Sequence, residues 1–529
     1  MYSNCLASLS EPEIYKEEKY KMEEEIRGME KYQMYIDGKF VDAENGETKA
    51  SINPATEEPF ALAPLGTRND AKRAIEAARK AFDSGVWSGM QPADRAKVLY
   101  KLVDKLNDLD LCEKMAETEV KDAGFTITVA AQGEVPLTNY FMENTVRMGE
   151  NLSTYEPLPW HDFPDLSWSF VEREPIGVCA GIIPWNHPYM MAGWKLVPPL
   201  IMGCTLVLKP ASETPLAALE LAKVIAECDF PPGVINIVTG PGSSLGEELC
   251  THPFVDKVAL TGSTEVGRHV MGLASNTLKK VTLELGGKSP TIIMPDADLD
   301  VAVKGALSGV FYHAGQVCMS GTRIFVHEDV YDEFMQRAIA VTKTIKVGDP
   351  MDYETNMGPL ISKAQQDTVL RYIDIGKKEG AKVAIGGKKP AHLKKGFFVE
   401  PTIFIDVHNK MTIAQEEIFG PVIAVIKFRN VDDAVAMAND SIFGLAGSVW
   451  SRNLPEAIAI AKRIRTGTMW VNTYHILSPK APFGGYKQSG LGREHAIEGL
   501  LAFTQSKHIC VDMGTPAANR LVFSYVFSQ

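Results

Sequence analysis

The sequence has few of the residue patterns that hold disulfide scaffolds or metal sites. Its eight cysteines are scattered over 529 residues, with no CxxC pair and no Cys/His group at zinc-finger spacing. This scatter argues against a disulfide framework and predicts reduced thiols. We therefore expect no metal site.

Basic residues are fewer than acidic ones, and long apolar runs are also rare. Lys and Arg total 54 against 66 Asp and Glu, for a formal net charge of -12, whereas nucleic-acid binding generally needs a basic face. No basic region followed by an apolar core and a cleavage site marks the N-terminus. The longest apolar stretch, residues 189–208, contains Lys195, Pro198 and Pro199, so we interpret it as a buried helix and strand. We expect a cytoplasmic protein with neither a nucleic-acid nor a membrane partner.

The sequence does contain a long alternation of strand and helix patterns. Residues 1–30 form a charged N-terminal extension, and we expect residues 11–30 of it to be a solvated helix. An Asp-Gly turn in MYIDGKFVDA predicts a hairpin, and two amphipathic helical patterns follow it. From Val178 onward, short apolar strand patterns alternate with helical stretches in two successive series. The alternation predicts an α/β fold of two lobes with parallel sheets, whose strand ends face a cleft.

Two segments contain polar residues suited to catalysis. In IPWNHP, Asn186 follows a predicted strand, and its amide could face a developing oxyanion, although a polar loop residue is the commoner explanation. In VTLELGGKSP, Glu284 lies in an apolar strand. A carboxylate there is costly unless it is paired or its pKa is raised, which suits a general base; a surface glutamate is the ordinary alternative.

Two further segments are equally weak when taken alone. Cys318 in GQVCMSG has small and apolar neighbours, and a lone cysteine of this kind is more often core filler than a nucleophile. The segment QEEIFGPV combines Glu417 and Phe419 with a Gly-Pro turn. Acids near a helix end usually have a structural role. Each of the four segments is therefore weak evidence by itself, and only their combination favours an enzyme.

The segments together resemble the aldehyde dehydrogenase family over residues 32–511. The matching motifs are IIPWNHP, LVLKPASETP, TGSTEVGR, VTLELGGKSP, GQVC, EEIFGPV and PFGGYKQSGLGRE, in the family's order and spacing. The resemblance implies an α/β fold with a Rossmann-like cofactor domain, an α/β catalytic domain and a small β oligomerisation domain. The implied boundaries are 31–151 and 174–285 for the cofactor domain, 286–487 for the catalytic domain, 152–173 and 488–511 for the oligomerisation domain, and 512–529 for a C-terminal tail.

The resemblance also implies a reaction and the residues that carry it. An aldehyde would be oxidised to a carboxylate with NAD or NADP through a thiohemiacetal and then a thioester on Cys318, which water hydrolyses. Glu284 matches the general base, and Asn186 matches the oxyanion donor beside the backbone N–H of Cys318. The implied cofactor-binding residues are Ile183, Pro184, Trp185, Lys209, Ser212, Gly242, Gly262, Ser263, Gly286, Glu417 and Phe419.

One departure from the family pattern concerns the choice of cofactor. Ser212 stands three residues after Lys209, where NAD-preferring members commonly carry a glutamate that would grip the ribose hydroxyls and repel a 2′-phosphate. Serine removes that repulsion. We therefore predict use of either cofactor with a preference for NADP.

The positions that match the family's substrate tunnel are mostly apolar and aromatic, and none is an arginine. Because a distant carboxylate usually needs a guanidinium partner, succinic semialdehyde is disfavoured. Betaine aldehyde would want an aromatic cage, which Leu477 weakens, so aliphatic, aromatic or hydroxy aldehydes are expected, although ordinary core packing also explains such side chains. The tunnel positions are His187, Trp194, Tyr312, Val317, Met319, His475, Leu477 and Phe483.

The end of the chain predicts a homo-oligomer, either a dimer or a tetramer. The segment LLAFTQSKHICV matches the family's C-terminal oligomerisation strand, which we expect to pair with a neighbouring subunit around residues 153–171. The tail beyond it contains the apolar segment LVFSYVF. We expect this tail to dock on its own or an adjacent subunit, because an exposed β-prone tail would favour aggregation.

Two other functions remain open at this level. A CoA-acylating semialdehyde dehydrogenase would resolve the thioester with CoA, but Glu284 argues against it because that reaction needs no hydrolytic base. A catalytically silent structural or binding protein on the same fold is disfavoured because Cys318, Glu284 and Asn186 are all present.

Overall fold

The computed structural model describes residues 28–527. The predicted helical extension lies outside this range except for its last three residues, and there Glu30 begins a strand. In chain order the strands are β1 (Glu30–Lys31), β2 (Met34–Ile36), β3 (Lys39–Val41), β4 (Thr48–Ile52), β5 (Pro59–Pro64), β6 (Tyr155–Pro157), β7 (Ser167–Pro175), β8 (Val178–Ile182), β9 (Thr205–Lys209), β10 (Ile235–Ile237), β11 (Lys257–Thr261), β12 (Lys280–Glu284), β13 (Pro290–Ile293), β14 (Arg323–His327), β15 (Lys382–Ile385), β16 (Thr402–Ile405), β17 (Val422–Phe428), β18 (Ala446–Trp450), β19 (Thr468–Val471), β20 (Gly490–Leu491) and β21 (Thr504–Asp512).

The helices cover both faces of the larger sheets. The helices that form at the predicted amphipathic patterns have one buried face and one exposed face. In the helix Arg68–Asp83, for example, Ala71, Ala74 and Ile75 are buried. In chain order they are α1 (Arg68–Asp83), α2 (Pro92–Leu106), α3 (Leu109–Ala123), α4 (Ile127–Val129), α5 (Val135–Glu150), α6 (Pro188–Ile201), α7 (Leu216–Ala226), α8 (Glu247–Thr251), α9 (Thr264–Ala274), α10 (Leu299–Phe311), α11 (Tyr331–Thr342), α12 (Lys363–Lys378), α13 (Thr412–Gln415), α14 (Val431–Asn439), α15 (Leu454–Arg463), α16 (Ala496–Leu501) and α17 (Leu521–Ser524).

The first large sheet has eight strands in the order β20-β12-β11-β8-β9-β10-β2-β3. Strands β8 to β12 within it are parallel to one another, whereas β2 and β20 pair antiparallel with β10 and β12. The predicted hairpin is confirmed as β2 and β3, which pair antiparallel across Asp37 and Gly38. Both turn residues have positive φ angles, 51° and 75°, and an Asp-Gly pair accepts that conformation readily. The parallel strands end at one edge, where open α/β sheets bind ligands.

The second large sheet has seven strands in the order β15-β16-β17-β14-β13-β18-β19. Its strands are parallel except for β15, which lies antiparallel to β16 at the edge. Central strands such as β18 are buried on both faces, which explains their continuous apolar sequences. The predicted α/β fold of two parallel sheets is confirmed.

The apolar stretch of residues 189–208 is the buried helix and strand that we predicted. All residues of α6 are buried, and β9 follows in the middle of the eight-stranded sheet. Within residues 28–527, no helix has both the length and the apolar character needed to cross a bilayer.

A small antiparallel sheet combines β6, β7 and β21. Strand β21 pairs with β7 over nine residues of the same chain, from Thr504 opposite Pro175 to Asp512 opposite Ser167. Our expectation that this strand pairs with a neighbouring subunit is therefore wrong for this contact. The backbone N–H of Ile176 donates to the carbonyl of Phe503 at 3.0 Å, and this bond anchors the start of β21 beside its own β7.

Candidate active site

A narrow inner cavity of about 70 Å³ lies between the two large sheets. Its wall is mostly apolar or aromatic, and it contains every position that the family resemblance assigned to a substrate tunnel. Cys318 and Glu284 also line it. The lining residues that sequence reasoning assigned to no role are Leu137, Met190, Met191, Thr261 and Glu494.

Cys318 lies at the junction of this inner cavity and a second, outer cavity, and it lines both. The loop before it is strained, since His313 and Ala314 both have positive φ angles, 47° and 52°. Gly315 packs so closely on the Gly420 carbonyl that a Cβ would lie 2.1 Å from the oxygen. This approach holds the loop of Cys318 against the loop of Glu417.

The surroundings of Cys318 favour its neutral thiol. Burial raises the pKa of the thiol, and the carboxyls of Glu417 and Glu284 raise it further. A thiolate can therefore form here only if its proton passes to a nearby acceptor.

Asn186 follows β8 and is fixed toward the Cys318 loop. Its Nδ2 donates to the backbone carbonyl of Gln316 at 2.8 Å, and the side-chain oxygen of Gln316 accepts from the N–H of Ile361 at 2.9 Å. An amide nitrogen has two protons, so one remains available for an oxygen beside Cys318. The arrangement suits an oxyanion donor.

Glu284 is the last residue of β12 and is 4% exposed. Neither carboxyl oxygen has a hydrogen-bond partner among the described residues. Burial raises its pKa well above the usual range, and the carboxylate of Glu494 raises it further, while Lys195 and Arg493 act in the opposite direction. Because its pKa is raised, the ionised form of this carboxyl is a stronger base than an ordinary glutamate.

A charged pair that sequence reasoning missed lies beside Glu284. The ammonium of Lys195, in α6, forms an ion pair with Glu494 and donates to the hydroxyl of Thr261 at 2.7 Å. Lys195 is 1% exposed. The available signals were a lysine inside an apolar stretch and a glutamate at the end of the matched PFGGYKQSGLGRE motif. Glu494 lines the inner cavity, and Lys195 is its ion-pair partner.

The outer cavity has a volume of about 420 Å³ and lies at the carboxyl ends of β8, β11 and β12. Among its walls are Trp185 and Phe419, whose rings meet at 90° with centroids 5.2 Å apart. The structure brings together here the predicted positions Ile183, Pro184, Trp185, Gly262, Ser263, Gly286, Glu417 and Phe419.

Glu417 is held at the junction of the two large sheets. Its Oε1 accepts from the backbone N–H of Gly287 at 2.9 Å. A Cβ at Gly286 would lie 2.0 Å from its other oxygen, so any side chain there would displace the carboxyl of Glu417. Burial raises the pKa of Glu417 to about 7, although the hydrogen bond from Gly287 acts against this.

Ser263 caps α9, which begins at the outer cavity. Its hydroxyl accepts from the N–H of Val266 at 3.2 Å, and the free N–H groups of a helix start favour anions such as phosphate. Gly262 directly precedes it. The pyrophosphate contact implied by the resemblance therefore has a matching local structure.

Three predicted cofactor residues lie outside this cavity. Lys209 ends β9, and its ammonium donates to the Pro210 carbonyl at 3.1 Å, while burial lowers its pKa to about 8. Ser212 donates to the carbonyl of Gly240 at 3.0 Å, and Gly242 begins a π-helical turn. All three residues lie at or after the carboxyl ends of β9 and β10. Because β8, β9 and β10 are parallel, this is the same edge of the sheet at which the outer cavity lies.

Comparison with known proteins agrees with this architecture. The model of the aldehyde dehydrogenase family matches residues 40–509. The chain is 42% identical to the betaine aldehyde dehydrogenase of Bacillus subtilis over 488 residues, which cover 92% of this chain and 98% of that protein. It is also 42% identical to aldehyde dehydrogenase 1A1 of Rattus norvegicus, over 90% of this chain and 94% of that protein.

A solved structure shares the fold over almost the whole chain. The betaine aldehyde dehydrogenase of Staphylococcus aureus, solved in complex with NAD⁺, superposes with a TM-score of 0.90 at 39% identity. The match covers 97% of this chain and 99% of that one. With the family model matching most of its length, the chain belongs to the aldehyde dehydrogenase family of oxidoreductases.

Proposed function

We propose that this protein oxidises an aldehyde to a carboxylate with NAD⁺ or NADP⁺, using Cys318 as the nucleophile. The observation that carries the proposal is the position of Cys318 at the junction of two cavities. One cavity has the shape and lining of an apolar substrate tunnel, and the other lies where α/β sheets bind nucleotides.

In the first step, the sulfur of Cys318 attacks the aldehyde carbon and forms a thiohemiacetal oxyanion. The free proton of the Asn186 amide and the backbone N–H of Cys318 stabilise the charge on oxygen, and the loss of one such donor typically costs about 2.7–4 kcal/mol. Because burial favours the neutral thiol, the thiol must release its proton to solvent as it attacks, which leaves Glu284 free to act as a base in the later hydrolysis.

Glu284 then serves the second half of the reaction. Loss of hydride from the thiohemiacetal leaves a thioester on Cys318, and Glu284 removes a proton from the water that hydrolyses it. The unpartnered, buried carboxyl is suited to this role. We therefore favour hydrolysis over transfer to CoA.

The outer cavity fits a nicotinamide dinucleotide. Its aromatic pair, the carboxyl of Glu417 and the start of α9 offer contacts for a nicotinamide ring, a ribose and a diphosphate in turn. Lys209, Ser212 and Gly242 would extend these contacts along the sheet edge to the adenosine half. When bound, the nicotinamide ring accepts a hydride.

We propose that both NAD⁺ and NADP⁺ are used, with a preference for NADP⁺. Ser212 carries no negative charge to oppose a 2′-phosphate, and the ammonium of Lys209 lies on the same sheet edge. The similar Staphylococcus aureus enzyme was solved with NAD⁺, so the ratio of kcat/KM values for the two cofactors tests this preference.

The inner cavity supports an aliphatic, aromatic or hydroxy aldehyde as substrate. Two similar proteins are named betaine aldehyde dehydrogenases, but in this chain the aromatic side chains around the cavity are interrupted by Leu477. A cation would find only part of an aromatic cage.

We further propose a cytoplasmic homo-oligomer, a dimer or a tetramer, with the domain boundaries given above. The seven cysteines in the described part of the chain are free, as expected in a reducing compartment. The oligomer would form around the small antiparallel sheet, where several apolar side chains are exposed. These side chains are Tyr155, Trp160, Phe163, Leu166 and Val511.

The experiment that tests the proposed function is a panel of aldehydes with NAD⁺ and NADP⁺, with and without CoA. We expect NAD(P)H to form without CoA, and Cys318→Ala to abolish it. A strict requirement for CoA would support the acylating alternative, whereas inactivity of the folded protein on every aldehyde would contradict the proposal and support a silent structural protein.

A further inference from the structure

Glu134 is a fully buried carboxylate that the proposed chemistry does not use. It ends a π-helical turn, Ala130–Glu134, between α4 and α5. Pro136 lacks the N–H that a regular α-helix would donate to Gln132, and the backbone widens there. Turns of this type often occur at functional sites.

The partner of Glu134 is His187, which lines the inner cavity. The Nδ1 atom of His187 lies 3.1 Å from each carboxyl oxygen of Glu134. The ring also packs edge-on against Phe125, with centroids 5.2 Å apart. In the tautomer whose Nδ1–H donates to this carboxyl, the lone pair of the imidazole lies on Nε2.

A second acid, Glu119, lies beside Glu134 in the same buried cluster. Burial raises the pKa of Glu119 well above the usual range, and the carboxylates of Glu134 and Asp122 raise it further. Glu119 accepts one backbone N–H, from Tyr189, on one oxygen and has no partner on the other.

The edge of His187 that carries Nε2 is the part of the ring that remains for a ligand. Nε2 makes no hydrogen bond with any residue in the range 28–527, and the side chain is 10% exposed. His187 follows Asn186 directly, and both cavities beside Cys318 include it. A group bound to Nε2 would therefore lie close to the reacting carbon.

Other polar atoms around the inner cavity also lack partners. The indole nitrogen of Trp194 and both ring nitrogens of His475 are buried without hydrogen bonds among the described residues. Such groups cost about 1–3 kcal/mol each when left unpaired, so a ligand with polar groups that reach them would be favoured. An entirely apolar aldehyde would satisfy none of them.

We propose that the inner cavity is selective for 2-hydroxy aldehydes, whose hydroxyl group donates to Nε2 of His187. Glu134 is a positioning residue that fixes the tautomer and orientation of the imidazole. This inference rests on the proposed function and narrows its substrate class.

The same geometry disfavours two other polar substrates. A quaternary ammonium next to the carbonyl has no proton to donate to Nε2. A carboxylate at that position would meet the lone pair of Nε2, and it has no proton to donate to that atom. A hydroxyl group is neutral, small and a donor, and it matches the site.

The test compares 2-hydroxypropanal with propanal, which differ only in the hydroxyl group. For the wild-type full-length protein we expect the ratio of their kcat/KM values to favour the hydroxy aldehyde by about tenfold or more, since a site that hydrogen-bonds a hydroxyl rejects the analogue that lacks it. In His187→Phe the ratio should fall to near one. His187→Gln, which keeps an amide at the ring edge, should retain part of the preference and serves if the Phe variant fails to fold.

Glu134→Gln should lower the same ratio to an intermediate value, because an amide holds the imidazole less firmly than a carboxylate. The matched control is Glu143→Gln on the exposed side of α5, where Glu143 pairs with Arg147. It should leave the ratio at the wild-type value. A purely structural role of Glu134 would lower both activities together without changing the ratio.

The outcomes separate this inference from the proposed function. Equal oxidation of both aldehydes by the wild type, or an unchanged ratio in His187→Phe, would overturn the inference while the proposed function stands. A preference for betaine aldehyde that depends on His187 would also overturn it. If the folded protein oxidises no aldehyde at all, the proposed function itself fails.

Discussion

Glu284 and Glu417 are both carboxyl side chains close to Cys318, but they differ in their partners. Glu284, at the inner cavity, has no hydrogen bond to either oxygen, whereas Glu417, at the outer cavity, accepts the N–H of Gly287. Burial raises the pKa of both. A carboxyl without partners is free to exchange a proton, and one that is held by the backbone can orient a ligand. The two positions thus give one residue type two different environments, and we propose a different role for each.

The largest effect should follow from Glu284→Gln. An amide cannot remove a proton from water, so kcat should fall by about 10²–10⁴-fold. Steady-state NAD(P)H production measures this loss. An activity within threefold of the wild type would mean that another group is the base and would remove the contrast with Glu417.

Glu417→Gln should have a smaller effect of a different kind. The amide can still accept the Gly287 N–H but loses the charged hydrogen bond to a ribose hydroxyl, which is worth about 1.5–3 kcal/mol. We expect kcat/KM for the cofactor to fall by about 10–100-fold. A loss confined to thioester hydrolysis would show instead that Glu417 shares the role of Glu284.

Ser212→Glu should change cofactor preference with little change in the rest of the reaction. A carboxylate near Lys209 would repel a 2′-phosphate and could grip a ribose diol. The ratio of kcat/KM for NADP⁺ over NAD⁺ should drop by about tenfold, which corresponds to about 1.4 kcal/mol. A matched Ser212→Ala variant should keep the wild-type preference, and an unchanged ratio in Ser212→Glu would place the 2′-phosphate elsewhere.

The smallest effect should appear in stability as a function of pH. A raised pKa in the folded state means that the unfolded chain loses the proton at lower pH, so stability falls as pH rises above the ordinary carboxyl range. Glu284→Gln removes that penalty, and its Tm should exceed the wild-type Tm by about 1–2 °C at pH 8 and by less at pH 5. Glu417→Gln should show a smaller gain because its carboxyl has a backbone partner. Melting curves at the two pH values check both.

Much of the fold could be predicted from the sequence because its local signals are strong. The Asp-Gly turn after Ile36 and the alternation of apolar strands with helices are short-range patterns, and the structure confirms them. The lysine at position 195 argued against a membrane span and in favour of a buried helix and strand, which the structure also confirms.

The contacts that sequence reasoning missed depend on distant parts of the chain. Lys195 and Glu494 are 299 positions apart, and Glu134 and His187 are 53 apart. Nothing in the local pattern at either end specifies its partner, because tertiary packing alone brings them together. The pairing of β21 within its own chain was missed for the same reason, since a strand's sequence does not say whether its neighbour belongs to the same subunit.

The central claim is that Glu284 resolves a thioester on Cys318, and mass spectrometry of Glu284→Gln tests it most directly. After mixing with aldehyde and NAD(P)⁺, we expect a rapid burst of NAD(P)H and an acyl adduct on Cys318 that persists for want of hydrolysis. Cys318→Ala should show neither. The absence of any adduct in folded Glu284→Gln that still produces NAD(P)H at the wild-type rate would contradict this account.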